Sequence, residues 1–407
     1  MKKFLVALCL VSVSALAEPG IKLADYYQIG DSSIVNDQLV LSTTTAGVRA
    51  GVFAQLDTPV DLQNKTLRIQ VKSSDWNNTK EFGMLFATDV FANSISIDLK
   101  SFITNPTDHE WIEVVVPVAN WTQENNPDLS NINYVMWRAA DNGASRVSTQ
   151  VKGFDIIPEG NRAMLSITID DGEPTTIDAY KIMTRHGLRG GIYIDEKFLK
   201  AKDWITQSQI DNIAKTGWDI SGHEILERIP SISKHGRYEK YSGEYLTNIN
   251  SLSQTEMDTI IAGTADYLKQ QKYQGSNIFA YPNGIRSNRM MTAVEKNFKY
   301  GLNIDSLDNP TNYLSPYSIN RRSINKATTV KQMTEWINQA KEKNLWIVLN
   351  FHTFVDNGTS DINYQPKDFE ELCNYIVASK IEVLPVSKAI KKIVTEAPAN
   401  IKQYSFY

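Results

Sequence analysis

The sequence predicts two structural units in tandem, an antiparallel β-sandwich over residues 18–158 and a β/α barrel over residues 159–407. Three observations predict this. Apolar residues alternate with polar ones at a period of two up to about residue 158, the pattern of strands buried on one face. After Pro158-Glu159-Gly160 the pattern becomes repeated apolar-strand-then-helix units, which call for a parallel sheet and, in this number, a barrel. Helical periodicity is nearly absent before that point.

The first 17 residues read as a leader. Met1-Lys2-Lys3 is basic, "FLVALCLVSVSALA" is apolar, and Ala15-Leu16-Ala17 precedes a polar Glu18-Pro19-Gly20, the layout of a secretory signal cleaved after Ala17. The apolar run is shorter than the roughly 20 residues a span needs, and no later stretch is long and apolar enough, so no membrane span is expected. The expectation is an exported protein, periplasmic or secreted. Cys9 would leave with the leader, and Cys373 alone cannot form an intrachain disulfide.

In the sandwich, Leu67, Ile69 and Val71 face one way and Arg68, Gln70 and Lys72 the other; Ile95, Ile97 and Leu99 repeat the alternation, and "WIEVVVPV" (111–118) is a further strand. In the barrel, "MLSITI" reads as a buried strand and "TTIDAYKIMTRHG" as a helix stopped by Gly187. "RGGIYI" is a strand, "QSQIDNIAKTG" a helix stopped by Gly217, and "WDIS" a strand. The alternation continues through "SQTEMDTIIAGTADYLKQQ", "NIFAYP", "SNRMMTAVEKNF", "YGLNI", "VKQMTEWINQAKEKN", "LWIVLNF", "PKDFEELCNYIVASK" and "IEVLPV".

Chemistry on such a barrel collects at the carboxyl ends of the strands. Those ends carry Asp170 and Asp171, then Ser221-Gly222-His223, then Tyr281-Pro282-Asn283-Gly284, then His352. Two carboxylates and two histidines suit a metal ion with acid/base chemistry. One carboxylate would ligate the cation while the other accepts a proton from water, and His352 would serve as acid.

These residues also resemble a family. "TIDDG" is similar to the Thr-Phe-Asp-Asp-Gly signature of the NodB-homology polysaccharide deacetylases (carbohydrate esterase family four); "GWDISGH", "FAYPNG" and "VLNFH" are similar to its later motifs, in the same order over about residues 160–390. The resemblance implies the distorted or incomplete barrel of that family and a metal-dependent hydrolase of carbon–nitrogen bonds other than peptide bonds. It implies Asp170 as general base, Asp171 and His223 as metal ligands, His352 as general acid, and the Asn283 backbone N–H as an oxyanion donor. The cation would be divalent, zinc first, and the substrate an N-acetylated polysaccharide or oligosaccharide.

Two departures from the family pattern stand out. The second motif is usually His-x-x-x-His, but His223 is followed at that spacing by Glu227; a carboxylate also ligates zinc, and His235, in the polar insert after it, is the other candidate third ligand. The second is Ala280, where many relatives carry an arginine that holds the catalytic carboxylate.

Other readings are plainer. The net charge of −4 and scattered basic residues leave no footprint for nucleic acid. His186 suits a helix C-terminus and His109 a solvated loop. "HEILE" lacks the second histidine of a zinc-protease motif. Trp76, Trp111, Trp121 and Trp137 would either fill the sandwich core or stack on sugars, the core being favoured, and the sandwich resembles carbohydrate-binding jelly-rolls in pattern only. Tyr238, Tyr241 and Tyr245, beside the expected metal, are better placed to meet substrate. A glycosidase fits less well, since adjacent carboxylates are poorly placed to flank a glycosidic bond. Two functions stay open: an exported deacetylase acting on N-acetyl or O-acetyl groups of an amino-sugar polymer, and a catalytically impaired glycan-binding protein on the same scaffold.

Overall fold

A computed structural model describes residues 26–395 and 402–405, apart from 45–46, 91, 159, 201–203 and 225–251. The amino-terminal half carries strands β1 (Tyr26–Ile29), β2 (Asp31–Val35), β3 (Gln38–Ser42), β4 (Ala50–Val60), β5 (Lys65–Ser73), β6 (Thr79–Ala87), β7 (Ser94–Asp98), β8 (Ile112–Pro117), β9 (Thr122–Glu124), β10 (Ile132–Asp141) and β11 (Ser148–Pro158). They form two antiparallel sheets, one in the order β1-β4-β10-β6-β7-β9 and the other β2-β3-β11-β5-β8.

Leu67, Ile69 and Val71 are fully buried, as their alternation requires, and they meet Phe82, Met84 and Phe86 of the other sheet in one apolar cluster. Aromatic rings join the sheets, with Phe86 edge-on to Phe154 at 5.8 Å between centroids. Trp76, Trp121 and Trp137 belong to this core. Trp111 stays half-buried, with the ammonium groups of Lys72 and Lys152 at 4.8 and 4.5 Å from its ring centre.

The second half alternates strand and helix: β12 (Met164–Ile169), α1 (Thr176–Arg185), β13 (Gly191–Ile194), α2 (Gln207–Ala214), β14 (Asp219–His223), α3 (Gln254–Gln271), β15 (Ile278–Ala280), α4 (Asn288–Asn297), β16 (Tyr300–Leu302), β17 (Arg322–Ser323), α5 (Val330–Glu342) and β18 (Trp346–Phe351). A small pair, β19 (Thr353–Phe354) and β20 (Asn363–Tyr364), precedes α6 (Pro366–Ser379), β21 (Glu382–Val383) and α7 (Val386–Thr395). Every residue of β12 is buried, the mark of a strand covered on both faces. The helix starts are capped: Ser253 of α3 and Thr206 of α2 each accept from the third helical N–H, and Glu256 and Gln209 return the bond.

The strands run parallel in the order β16-β15-β14-β13-β12-β18-β17. Residues 319–323 carry the chain from one edge of this sheet to the other, with Ile319 bridged to Leu302 of β16 and Arg322-Ser323 paired with β18. The barrel is thus drawn shut by one bridge and a two-residue strand. At the chain's far end "IEVLPV" gives a shorter strand than its apolar run predicts, because Val386 already begins α7. The final strand, β22 (Lys402–Ser405), leaves the barrel and pairs antiparallel with β11.

The two halves share packing. Leu307, from the barrel half, is fully buried in the amino-terminal cluster. Side-chain amides cross the boundary: Asn320 donates to the Val115 carbonyl (2.9 Å), Gln339 to that of Ala119 (2.8 Å) and Asn312 to that of Pro158 (2.7 Å). Leu307→Ala is therefore expected to destabilise the amino-terminal half by about 2–5 kcal/mol, the cost of an unfilled core cavity. Urea denaturation followed by tryptophan fluorescence reads this; an unchanged midpoint would mean that Leu307 does not tie the halves together.

Candidate active site

The site is assembled at the carboxyl ends of neighbouring strands. β12 delivers Asp170, whose N–H donates to the Phe351 carbonyl at the end of β18 (2.9 Å). The chain then turns through two left-handed residues, Asp171 (φ 73°) and Gly172 (φ 71°). At Gly172 a Cβ would lie 2.9 Å from Ile194 Cγ2, so both the backbone and the space require glycine. The turn separates the two carboxylates, and each meets a different partner.

Asp170 lies against Arg321, which is fully buried. Nη1 donates to Oδ1 at 2.7 Å and Nη2 to Oδ2 at 3.1 Å, a two-pronged pair. Asn350 adds a bond to Oδ2 (3.1 Å) and accepts from Arg321 Nη1 (2.9 Å) and Thr168 Oγ1 (2.8 Å). Arg321 Nε donates to the Asn303 carbonyl (3.1 Å). Burial works to raise the Asp170 pKa, yet Arg321, followed by His223 and His352, outweighs it and holds the carboxyl down at about 2. The pairing with Arg321 favours the ionised form of Asp170.

Asp171 turns to His223, the last residue of β14, with Oδ1 3.3 Å from Nε2. His223 Nδ1 is 2.9 Å from the Ala280 carbonyl, which can only accept, so Nδ1 carries the proton and Nε2 faces Asp171. Burial lowers the basicity of this ring, but the charge of Asp170, the bond from Asp171 and its charge together lift it to about 9. A carboxylate oxygen beside an imidazole nitrogen, the far nitrogen fixed by a carbonyl, is the donor arrangement a divalent cation takes. Asp171 and His223 fit such an ion.

His352 follows β18 with Nε2 3.9 Å from Asp170 Oδ2. Burial draws its pKa below the ordinary histidine value, against the pull of Asp171 and Asp170. Its Nδ1 is buried with no partner among the described residues. Asn283 lies in the short turn Pro282–Gly284 after β15, in a left-handed conformation (φ 50°, ψ 21°). No described group accepts its backbone N–H. Glu227 and His235, the two candidate third ligands, and Tyr238, Tyr241 and Tyr245 lie outside the described residues.

Asp195, Glu196 and Glu224 form a second acidic group, with ligand atoms within 4.8 Å of one another. It could hold a cation and already has one, the Lys197 ammonium at 2.9 Å from Glu224 and 3.8 Å from Asp195. Burial, then the charge of Asp195, raises Glu224 to about 8.

Residues 158–301 match the family described as polysaccharide deacetylase. The match falls almost wholly within the barrel half. No curated protein matches the chain. Among solved structures, the Xyl-CE4 domain of a multidomain xylanase from the hindgut metagenome of Trinervitermes trinervoides aligns at 15% identity over 61% of this chain and 97% of that one, TM-score 0.37. A family 4 carbohydrate esterase from Streptomyces lividans aligns at 10% identity over 55% and 93%, TM-score 0.35. The peptidoglycan deacetylase PdaC from Bacillus subtilis aligns at 11% identity over 58% and 93%, TM-score 0.37.

The sequence departs from the family pattern at Ala280, and the arginine that meets Asp170 comes from elsewhere in the chain. Arg321 supplies the guanidinium from the closing segment of the barrel. The signal was faint: of the paired arginines in "INRRSIN", Arg321 precedes a strand two residues long and Arg322 opens it. Asn350 was closer to hand, two residues before His352 in "VLNFH".

Proposed function

We propose that the chain is an exported, metal-dependent deacetylase that hydrolyses N-acetyl groups, or O-acetyl groups by the same chemistry, on an amino-sugar polysaccharide. The observation that carries this reading is the division of labour between adjacent carboxylates, Asp170 clamped by Arg321 and Asp171 beside His223 Nε2. Asp170 is the base, Asp171 and His223 are metal ligands with Glu227 as third, and His352 is the acid. The two antiparallel sheets around one core support a jelly-roll-like β-sandwich as the accessory domain, residues 18–158, ahead of the catalytic domain, 159–407. The leader pattern of residues 1–17 supports export to the periplasm or medium.

Acid strength argues for the cation. Bulk water, with a pKa of 15.7, is too weak an acid to give its proton to an aspartate; a divalent cation such as zinc, held by Asp171 and His223, would lower water's pKa toward about 7 and would polarise the acetyl carbonyl. Asp170, fixed by Arg321, receives the proton as water adds to that carbonyl. The Asn283 N–H donates to the oxygen as it becomes negative. His352, made more acidic by burial, gives its proton to the departing amine, the C–N bond breaks, and acetate and a free amino sugar result.

The test is acetate release by the purified chain from chitin oligomers, poly-N-acetylglucosamine and peptidoglycan, with metal content measured in parallel. We expect about one divalent ion per chain and activity lost to a chelator and restored by zinc. Glu227→Ala should release the ion, and Glu227→His should retain or tighten zinc. A chain that binds glycan yet frees no acetate from any polymer, with or without added metal, is instead a glycan-binding protein.

A further inference from the structure

The turn carrying Asn283 is held from the other half of the molecule. Asn105, in the loop after β7, donates from Nδ2 to the Asn283 carbonyl at 2.6 Å. The neighbouring Thr104 anchors that loop twice, its N–H donating to Asp305 Oδ1 (3.1 Å) and its hydroxyl to the Ile304 carbonyl (3.2 Å). Asp305 is fully buried and ion-paired with Arg286 Nη2, and Arg286 Nη1 donates to the Glu113 carbonyl on β8 (3.2 Å) and to Ser318 Oγ (3.3 Å). The loop that presents Asn105 is therefore fixed to the barrel by charge as well as by hydrogen bonds.

We propose that Asn105 is a positioning residue for acetyl hydrolysis: by gripping the Asn283 carbonyl it keeps the Asn283 N–H aimed at the acetyl oxygen. Within the turn, the Ile285 N–H donates to the Pro282 carbonyl (3.0 Å), which shares a peptide plane with the Asn283 N–H. Pro282 fixes its own φ, and the Gly284 N–H bonds to the Tyr281 carbonyl (2.9 Å). Gly284 packs so closely on Ile304 that a Cβ would come within 2.7 Å of Cγ1. Asn283 is thus fixed from both sides: Ile285 holds the peptide that carries its N–H, and Asn105 holds the peptide that carries its carbonyl. Without Asn105 the second peptide keeps only the bond from the Gly284 N–H to Tyr281, and the left-handed turn that aims the Asn283 N–H loosens. Both asparagines are left-handed, Asn105 at φ 46° and Asn283 at φ 50°, a conformation that asparagine and glycine adopt most readily. An N-terminal loop thus takes part in the work of a C-terminal catalytic turn.

This inference rests on the deacetylase reading for its catalytic consequence, and the test separates the two. Asn105→Gly keeps the left-handed backbone and removes the donor; Asn105→Asp keeps the shape and sets an acceptor against an acceptor. Each is compared with the parent for kcat, KM, bound metal and amide hydrogen exchange of the peptide containing residues 282–285. We expect kcat to fall about ten- to a hundredfold, more for Asp than for Gly, because misplacing an oxyanion donor costs somewhat less than deleting one. KM should stay within about threefold, metal content should be unchanged, and exchange at 283–285 should quicken. A kcat within threefold of the parent overturns the proposal, as does unchanged exchange. If the parent frees no acetate, the catalytic consequence falls with the deacetylase reading, while faster exchange in Asn105→Gly still upholds the grip on the turn.

Discussion

Asp170→Asn is expected to lower acetate release by about a thousandfold or more while the metal stays at its parental level, since the change removes the proton acceptor and leaves Asp171 and His223 in place. The side chain keeps its shape, so Asn350 can still donate to the amide oxygen. Arg321 loses its counter-charge in a fully buried position, and a lowered melting temperature should accompany the kinetic loss. Metal analysis and acetate kinetics on one preparation are decisive. A variant that sheds its metal but retains the residual rate would interchange the roles of Asp170 and Asp171.

Arg321→Met carries the other large effect. Arg321 and Asp170 side chains are 0% and 3% exposed, so removing the cation leaves a buried carboxylate with only Asn350 and the nearby histidines for compensation. Breaking one side of such a pair costs about 3–5 kcal/mol. Activity should fall nearly as far as in Asp170→Asn, because the carboxylate loses both its orientation and the charge that keeps it ionised. Arg321→Lys should recover part of the stability and little of the rate, since an ammonium cannot reproduce the two parallel bonds. Adding Asp170→Asn to Arg321→Met should restore stability relative to Arg321→Met alone, as no buried charge then lacks its partner. A denaturation midpoint near that of the parent for Arg321→Met would refute the pairing as a structural element.

Asp170, Asp171, His223, Asn283 and His352 could be read in the sequence because each closes or follows an apolar strand, and the chemistry of β/α barrels gathers at such ends. The rest depended on contacts that leave no periodic trace. Arg321 sits in a closing segment with too few strand residues to show alternation, and Asn105 lies in a loop far removed in sequence from the turn it holds. Trp111 could not be told from Trp76, Trp121 and Trp137 by spacing alone, since strand period assigns a face and cannot say whether another half of the chain covers it. The return of β22 to β11 was likewise invisible: it joins backbone groups, and its residues carry no sign of their partner.

That return bears on how the protein is made. Along one flank of β11, residues 148–151 pair with β3, and residues 153–156 pair with 402–405. During synthesis the second stretch has no partner until some 245 residues more have been added, so a nascent amino-terminal half carries a length of open strand edge while the barrel is still being translated. A chain stopped short of residue 402 would keep that edge open.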